Sequence, residues 1–376
     1  EVAQALQQLK ENLNPIADED RLVLLSAVMR DLGEQRMAMT NIRVLSSASV
    51  AETVAVTLKP EEGQPGEPRE VIVKLLRPGI VHRAGRERAF FEEVAAARGG
   101  EGPGKNDALA RTMGSIADQI ESELDLRFEA REIENAQAYA RQAEVQAGGL
   151  RVMQMAAGQT ARADFLILEK MPGRSVKSTI TSLEAVAGNP SATPEELQTS
   201  RQEAEALCQR LVELNTLWFK EAFYGSGFFH GDLHAGNLMF DSPPGQPATL
   251  GMIDFGNAAT LDAKTQRDFL RLQAAVFKGH PELSVDALRG LLPPDARARL
   301  DQVRPMLVRE LKGLMVKDEL YDKDIARLEG DLTGEFLSAA TRLGLEIPGS
   351  LLQFGRSQTM LDDTFVRAHK ALVKLS

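Results

Sequence analysis

The stretch from Phe229 to Gly256 limits the possible folds more than any other part of this 376-residue chain. Asp232 is followed five residues later by Asn237, and Asp254 comes after one short predicted hairpin. Asp232 can orient the proton of an attacking hydroxyl, while Asn237 and Asp254 can offer a neutral and a charged oxygen to Mg²⁺. A base followed by two magnesium ligands is the order of parts in phosphoryl-transfer sites. The spacing therefore predicts a site for ATP and Mg²⁺.

Other interpretations of this stretch explain less of it. Turn-forming residues of an ordinary loop would account for one of the three elements alone, but not for all three with flanking strands. His230 and His234 could form a metal triad with Asp232, but positions i and i+4 on a glycine-containing loop make a poor cage. We therefore expect both histidines to make structural hydrogen bonds, and we expect Gly236 and Gly256 to permit a tight backbone.

Lys74 follows an apolar run, Val71-Ile72-Val73, that indicates a strand. A strand lysine can reach the α- and β-phosphates of a nucleotide if a carboxylate holds it, although an ordinary edge charge would explain Lys74 taken alone. The candidate partners on a later predicted helix are Glu123, Asp125 and Glu129. Glu123 and Asp125 lie about 200° apart around a regular helix, so they cannot both face the lysine. The choice of partner stays open.

Residues 99–105 match the Gly-x-x-x-x-Gly-Lys spacing of a P-loop. The next residue is Asn106, where a P-loop needs Ser or Thr for Mg²⁺, and the preceding residues indicate a helix instead of a strand. We interpret this segment as a flexible loop.

Hydrophobic periodicity separates a β-rich first part from a helical second part, joined near residues 170–173. We predict an N-terminal helical extension over 1–40, a lobe with a small antiparallel sheet and a long helix over 41–171, and a helical lobe over 172–376. The predicted strands of the first part are 43–45, 53–58, 70–75, 151–154 and 165–169. The long helix is predicted over 108–144, with Leu124 and Phe128 on its core face. A site between the two lobes is the expected location.

Composition narrows the possible partners. The chain has 54 Asp and Glu against 44 Lys and Arg, a net charge of −10 that repels nucleic acids and anionic lipid surfaces. The sequence contains no run of about 18 apolar residues, so it predicts no transmembrane helix. The single cysteine, Cys208, suits a reducing compartment, so we expect a soluble, cytoplasmic protein, with export as an effector left open. Because the sequence begins at Glu1 and not at Met, we expect a trimmed or processed form.

Four segments together resemble the UbiB/AarF family of atypical kinases, which is associated with coenzyme Q and other isoprenoid lipid metabolism. They are VIVKLLRPG at 71–79, ELDLRFEA at 123–130, HGDLHAGN at 230–237 and DFG at 254–256. The similarity runs from about Arg43 to about Asp262. It implies an α+β, two-lobed protein-kinase-like fold that uses ATP and Mg²⁺.

The resemblance also implies roles for single residues. Lys74 would bind the α- and β-phosphates with Glu129 as its ion-pair partner, and Glu123 and Asp125 would form an acidic pair over the substrate side. Asp232 would be the catalytic base. The metal ligands would be Asn237 and Asp254.

Two further segments would contact the nucleotide. Ser47, Ala48 and Ser49 fall in the loop that covers the phosphates in the family, and Glu169 and Met171 fall in the hinge whose backbone holds adenine. The family's Lys-x-Gly-Gln motif is absent from 1–40. This departure bears on the lipid substrate and on the inhibitory gate of the family more than on the nucleotide site.

The sequence thus predicts an ATP-dependent kinase or ATPase that transfers the γ-phosphate to a small-molecule, lipid or protein acceptor. The run HGDLHAGN also resembles aminoglycoside- and choline-type phosphotransferases. The Glu123-x-Asp125 pair and the segment from Lys74 to Gly79 favour the first family. A nucleotide-binding pseudokinase scaffold is the non-enzyme alternative. The acceptor, and whether phosphate or AMP is transferred, stay open.

Overall fold

The computed structural model describes residues 15–34, 37–47, 50–60, 62, 66–80, 124–320 and 331–376, together with 82, 85, 86, 89 and 93. The chain divides into two compact units. The first is Glu1–Glu134 with Met153–Lys170, and the second is Asn135–Val152 with Met171–Ser376. The P-loop-like segment at 99–105 lies outside the described residues.

None of the helices in the described part of the chain is long and apolar enough to span a bilayer.

The first unit is built on an antiparallel sheet of four strands in the order β1-β2-β3-β5. Its strands are β1 (Met37–Ser47), β2 (Ala51–Pro60), β3 (Arg69–Leu76) and β5 (Phe165–Glu169). The sequence predicted all four of these strands, and the structure extends the first three at both ends. The segment 37–40, predicted as part of a helical extension, belongs to β1.

Helix α1 (Asp18–Glu34) packs on one face of this sheet. Its buried side chains Leu25, Val28 and Leu32 follow the i, i+3, i+7 spacing of one helical face. They share a core with strand residues that include Val54 and Val73. Helix and sheet therefore form one hydrophobic core, and the hydrophobic effect holds α1 in place.

Helix α2 (Leu126–Ala140) is shorter than predicted and is followed by α3 (Ala143–Ala147). Residues 108–123, which were predicted as its first half, lie outside the described residues. Phe128, predicted to face the core, is 44% exposed, and the guanidinium of Arg131 lies 4.5 Å from its ring centroid. The prediction was wrong because it counted in steps of four from Leu124, which precedes the helix in the structure.

The second unit contains a sheet of order β4-β9-β8-β6 and a two-stranded pair of β7 and β10. Strand β4 (Leu150–Val152) was predicted with the strands of the first part, but it pairs in parallel with β9 (Thr249–Met252). The other strands are β6 (Arg174–Ser175), β7 (Phe228–Phe229), β8 (Leu238–Asp241) and β10 (Ala259–Thr260).

The other regular elements that the structure describes in the second unit are helices, as the periodicity predicted. They are α4 (Val176–Ala187), α5 (Pro194–Tyr224), α6 (Ala263–Phe277), α7 (Pro281–Leu291), α8 (Arg297–Leu320), α9 (Asp331–Arg342) and α10 (Gly349–Leu375), with a 3₁₀ turn at Pro294–Ala296. The last helix, α10, packs along α5 and buries Leu351, Phe354 and Leu361. It also buries polar residues, of which Gln358 donates to Asn215 on α5 and Ser357 accepts from the backbone N of Leu233.

Candidate active site

Lys74 and Glu129 form an ion pair in the first unit, with 2.7 Å between Nζ of Lys74 and Oε2 of Glu129. The two side chains are only 17% and 4% exposed. Successive residues of a strand point to opposite faces, and Val73 and Leu75 lie in the core beside α1. Lys74 therefore points to the face opposite α1, where Glu129 in the first turn of α2 meets it.

The pair fixes the position of the lysine amino group. Burying two charges is costly unless each is closely paired, and the helix N-terminus adds a favourable partial charge near Glu129. Because the ammonium group carries three N–H donors, Glu129 can hold Lys74 while the lysine binds a second anion. Phosphate oxygens of a nucleotide would suit this cation.

In the structure Asp125 forms an ion pair with Arg127. Its carboxylate accepts hydrogen bonds from the backbone N of Arg127 at 3.0 Å and from the Nη2 of that residue at 2.6 Å. The Arg127 guanidinium holds the pKa of the Asp125 carboxyl below its ordinary value, against the opposing effect of burial. Of the two candidates that the structure describes, Glu129 is the one that pairs with Lys74. Glu123, the other candidate, lies outside the described residues.

Ser47 ends β1 and is buried, with Glu52 as its cross-strand partner. Its hydroxyl donates to Oε2 of Glu52 at 3.3 Å and accepts from Nη2 of Arg77 at 2.5 Å. Glu52 in turn pairs with Leu75, so the Ser47 side chain faces the α1 side, away from Lys74. Any contact of Ser47 with a nucleotide would come from its backbone. Ala48 and Ser49 lie outside the described residues.

The two predicted hinge residues lie on either side of the division between the units. Glu169 ends β5, and its backbone N donates to the Gln154 carbonyl at 2.9 Å. The chain passes from the first unit to the second between Lys170 and Met171. The Cε atom of Met171 packs so closely against Gly251 that a Cβ there would lie 2.2 Å from it. The contact with adenine stays a prediction.

The backbone around Asp232 depends on a glycine that the sequence did not single out. Gly231 has φ +79°, and a Cβ at this position would lie 2.0 Å from the carbonyl oxygen of Asn257. Gly256, expected to need a tight backbone, has an ordinary φ, and a Cβ there would meet only Asp254, at 3.5 Å. The strained residue is Asp254 itself, with φ +64°. Non-glycine residues seldom adopt this conformation, and those that do cluster at functional sites.

Asn237 and Asp254 lie at the same end of the hairpin formed by β8 and β9. The backbone N of Ile253, the residue before Asp254, donates to the Asn237 carbonyl at 3.0 Å. The Asn237 side-chain amide donates from Nδ2 to the backbone carbonyl of Asp232 at 3.0 Å. This bond makes Oδ1 the end that the amide offers to a ligand. A neutral amide oxygen and a carboxylate are a donor set that fits Mg²⁺.

The two histidines make structural hydrogen bonds, as predicted. His230 is fully buried, accepts from the backbone N of Asp232 at Nδ1 and donates from Nε2 to the Ile253 carbonyl at 2.9 Å. Burial lowers the pKa of His230, so the ring stays neutral in one tautomer. Nδ1 of His234 accepts from the backbone N of Gly236 at 2.9 Å. Among the described residues, no three His, Cys, Asp or Glu side chains form a metal cluster.

Helix α10 supports the site in a way the sequence did not predict. Ser357 accepts a hydrogen bond from the backbone N of Leu233 at 3.2 Å, and Gln353 donates to the Asn257 carbonyl at 2.6 Å. Both contacts join residues that are about a hundred positions apart in sequence. The one available signal was a pair of polar residues, at i and i+4, beside the apolar positions Phe354 and Leu361 of an amphipathic helix.

These elements define a protein-kinase-like α+β fold, as predicted. The chain is similar in fold to a solved structure of Rv3197 in complex with erythromycin, from Mycobacterium tuberculosis. The TM-score is 0.52 and the sequence identity 15%, and the match covers 94% of this chain and 83% of the other. At this identity the similarity concerns the fold alone.

A family model described as the ABC1 atypical kinase-like domain matches residues 9–282, and the chain belongs to this family. Relatives named "probable protein kinase UbiB" include one from Xylella fastidiosa, 25% identical over 304 residues that cover 79% of this chain and 49% of the relative. Another, from Xanthomonas campestris pv. campestris, is 26% identical over 304 residues, which cover 79% and 50%. The predicted UbiB/AarF membership is confirmed. The chain spans about half the length of these relatives.

Proposed function

We propose that this protein binds Mg-ATP and transfers the γ-phosphate to an acceptor hydroxyl, or to water when no acceptor is present. The observation that carries the proposal is the 2.7 Å ion pair of Lys74 and Glu129. A lysine held by a buried carboxylate on a neighbouring helix is the arrangement that positions a cation for the α- and β-phosphates. Family membership supports the same conclusion at the level of a kinase-like protein.

Asn237 and Asp254 would hold Mg²⁺ through the amide and carboxylate oxygens. The bound ion would neutralise charge on the phosphate oxygens. The chain's own contribution is to fix the two ligands, since the Ile253 and Asn237 backbones are joined by a hydrogen bond. The left-handed backbone of Asp254 sets the direction of its carboxylate.

Asp232 would act on the acceptor. Its backbone is fixed on both sides, because its N donates to His230 and its carbonyl accepts from Asn237. In the reaction, the acceptor oxygen forms a bond to the γ-phosphorus while the bond to the β,γ-bridging oxygen breaks and ADP leaves. The carboxylate of Asp232 orients the acceptor hydroxyl and takes up its proton.

The proposal is tested with ATP labelled separately at the α- and the γ-phosphate. Isoprenoid lipid precursors, aminoglycosides, choline-like alcohols and generic protein substrates serve as acceptors. We expect the γ-label, and not the α-label, to reach an acceptor or to be released as phosphate. Transfer of the α-label would indicate AMP transfer instead.

Asp232→Asn keeps the shape of the loop and both metal ligands, but it removes the base. We expect nucleotide affinity within a few-fold of the wild type and a turnover reduced by about 10²-fold. Asp241→Asn, the same change at the other end of β8, is the matched control and should retain wild-type turnover. If the wild type binds nucleotide but turns over no faster than Asp232→Asn with any acceptor, the protein is a nucleotide-binding scaffold.

A further inference from the structure

A second buried ion pair lies in the first unit, on the side of the sheet that the proposed chemistry does not use. The carboxylate of Glu52, near the start of β2, is fully buried. Its Oε1 accepts from Nε of Arg21 at 2.5 Å, and its Oε2 accepts from the backbone N of Ile16 at 2.9 Å. Ser47 also donates to Oε2. Both oxygens of one carboxylate are thus used by three different parts of the chain.

Arg21 completes the connection between α1 and the sheet. Its Nη2 donates to the carbonyl of Ile16 at 2.6 Å, so the backbone of Ile16 is held at its N–H by Glu52 and at its carbonyl by Arg21. Arg21 also contacts the carboxylate of Asp18 in the first turn of α1. The start of the helix is therefore tied to one point of β2.

That point lies where β1, β2 and β3 come together. Ser47, the last residue of β1, accepts from Arg77, and the backbone N of Arg77 donates to the carbonyl of Val50 at 2.9 Å. Thr53, the residue after Glu52, is the cross-strand partner of Lys74. Glu52 is therefore one residue away, along β2, from the residue that pairs with Lys74 on β3.

The hydrophobic core does not need this pair to hold α1, since Leu25, Val28 and Leu32 already anchor the helix. A buried ion pair is often no more stabilising than apolar residues of similar size, because desolvation offsets the attraction. Burial is the largest influence and opposes ionisation of Glu52, but the hydrogen bonds from Arg21, Ile16 and Ser47 and the charge of the guanidinium together outweigh it and keep the pKa of Glu52 below its ordinary value. The carboxylate is therefore charged at neutral pH. Its contribution is to hold Arg21, Ile16 and Ser47 in fixed positions.

We infer that Arg21 and Glu52 are positioning residues for the phosphates of the nucleotide. From the α1 face of the sheet, Glu52 holds the Ser47 hydroxyl directly and the Val50 carbonyl through Arg77, next to the strand position that pairs with Lys74. This inference rests on the proposed function. A positioning role can be distinguished from a merely structural role by measurement. Loss of a positioning residue should weaken binding of the phosphates but not binding of the nucleoside.

The test compares the dissociation constants of Mg-ATP, Mg-ADP and adenosine for the wild type and for the double variant Arg21→Met/Glu52→Leu. Apolar replacement of both partners avoids an unpaired buried charge, so we expect the variant to fold. We expect affinity for Mg-ATP and Mg-ADP to fall about tenfold, the scale of a small misplacement of binding groups. Affinity for adenosine should stay within twofold of the wild type.

Asp31→Asn is the matched control, because Asp31 ties the other end of α1 to the same unit through Arg162. This variant should bind all three ligands as the wild type does. If the folded double variant binds Mg-ATP like the wild type, or loses adenosine affinity equally, the inference is wrong while the proposed function stands. If the wild type binds no Mg-nucleotide at all, the proposed function fails and the inference fails with it.

Discussion

The two buried ion pairs of the first unit lie on opposite faces of one sheet and use their charges differently. Glu52 is fully enclosed and receives Arg21, Ile16 and Ser47, so its hydrogen-bonding capacity is committed within the fold. Glu129 meets a lysine whose side chain keeps 17% of its surface exposed. An arginine fork with several bonds locks a structure, whereas a lysine behaves as a compact charge that can also serve a ligand. A buried ion pair can thus either stabilise the fold or hold a side chain that binds a ligand.

The largest effect on turnover should come from breaking the ion pair of Lys74 and Glu129. Lys74→Ala should reduce turnover by about 10²–10³-fold, the loss typical of one group that stabilises the transition state, and Glu129→Ala should act in the same direction. The double variant should lose much less than the sum of the two, because residues that act as a unit are not additive. Turnover is measured under saturating Mg-ATP, with circular dichroism as the control for folding.

Additive losses would assign Lys74 and Glu129 separate roles. A larger loss in Glu123→Ala that is non-additive with Lys74→Ala would transfer the pairing to Glu123.

Removing only one partner of the Arg21–Glu52 pair should also lower the stability of the fold. Arg21→Met leaves the Glu52 carboxylate buried without its guanidinium, so the free energy of unfolding should fall by about 3 kcal/mol. The measurement is urea denaturation at pH 7, with Asp31→Asn as the comparison. An unchanged midpoint for Arg21→Met would mean that Glu52 reaches water or another donor.

The pH dependence of this loss has a definite sign. In the wild type the pKa of Glu52 is lowered, so its contribution is present above the ordinary pKa of a carboxyl and disappears as the pH falls through the folded-state value. In Arg21→Met, burial without the guanidinium should raise the pKa of Glu52. The stability difference between wild type and variant should therefore shrink as the pH falls from 7 towards 4. A constant difference would exclude ionised Glu52 as its cause.

Ligand-linked stability tests the metal side of the proposed site. Mg-ADP at a hundredfold excess over its dissociation constant should stabilise the wild type by about 2.7 kcal/mol. Asp254→Asn should abolish most of this metal-dependent shift. If the variant keeps the full shift with magnesium, the assignment of Asp254 as a metal ligand is wrong.

The smallest effect should come from the pair of Asp125 and Arg127, where the Arg127 side chain is 59% exposed. Exposed ion pairs contribute little to stability because water screens them. Arg127→Ala should leave the urea midpoint unchanged within error, in contrast to Arg21→Met. A clear destabilisation would show that the start of α2 depends on this contact.

The sequence predicted the residues of the candidate site that lie close together along the chain. Asp232, Asn237 and Asp254 stand within one loop and one hairpin, so their spacing predicted that they lie close together. The apolar residues before Lys74 predicted that this lysine lies on a strand. It could not predict that Ser357 meets the backbone of Leu233, because that contact depends on how a distant helix packs.

Phe128 was misplaced for a related reason. A hydrophobic pattern gives the period of a helix but not its starting residue, and α2 begins only after Asp125. The same limit applies to the strand that was predicted at 151–154 and lies at Leu150–Val152, because the sequence indicated a strand but not which sheet it would join.

The position of β4 also decides how the chain can be divided for expression. Residues Asn135–Val152 belong to the second unit, although the segment Met153–Lys170 that follows them belongs to the first. A fragment that begins at Met171 therefore lacks β4 and leaves one edge of β9 without its parallel neighbour, which invites association with other chains. A fusion that restores 135–152 to such a fragment should be the more soluble of the two.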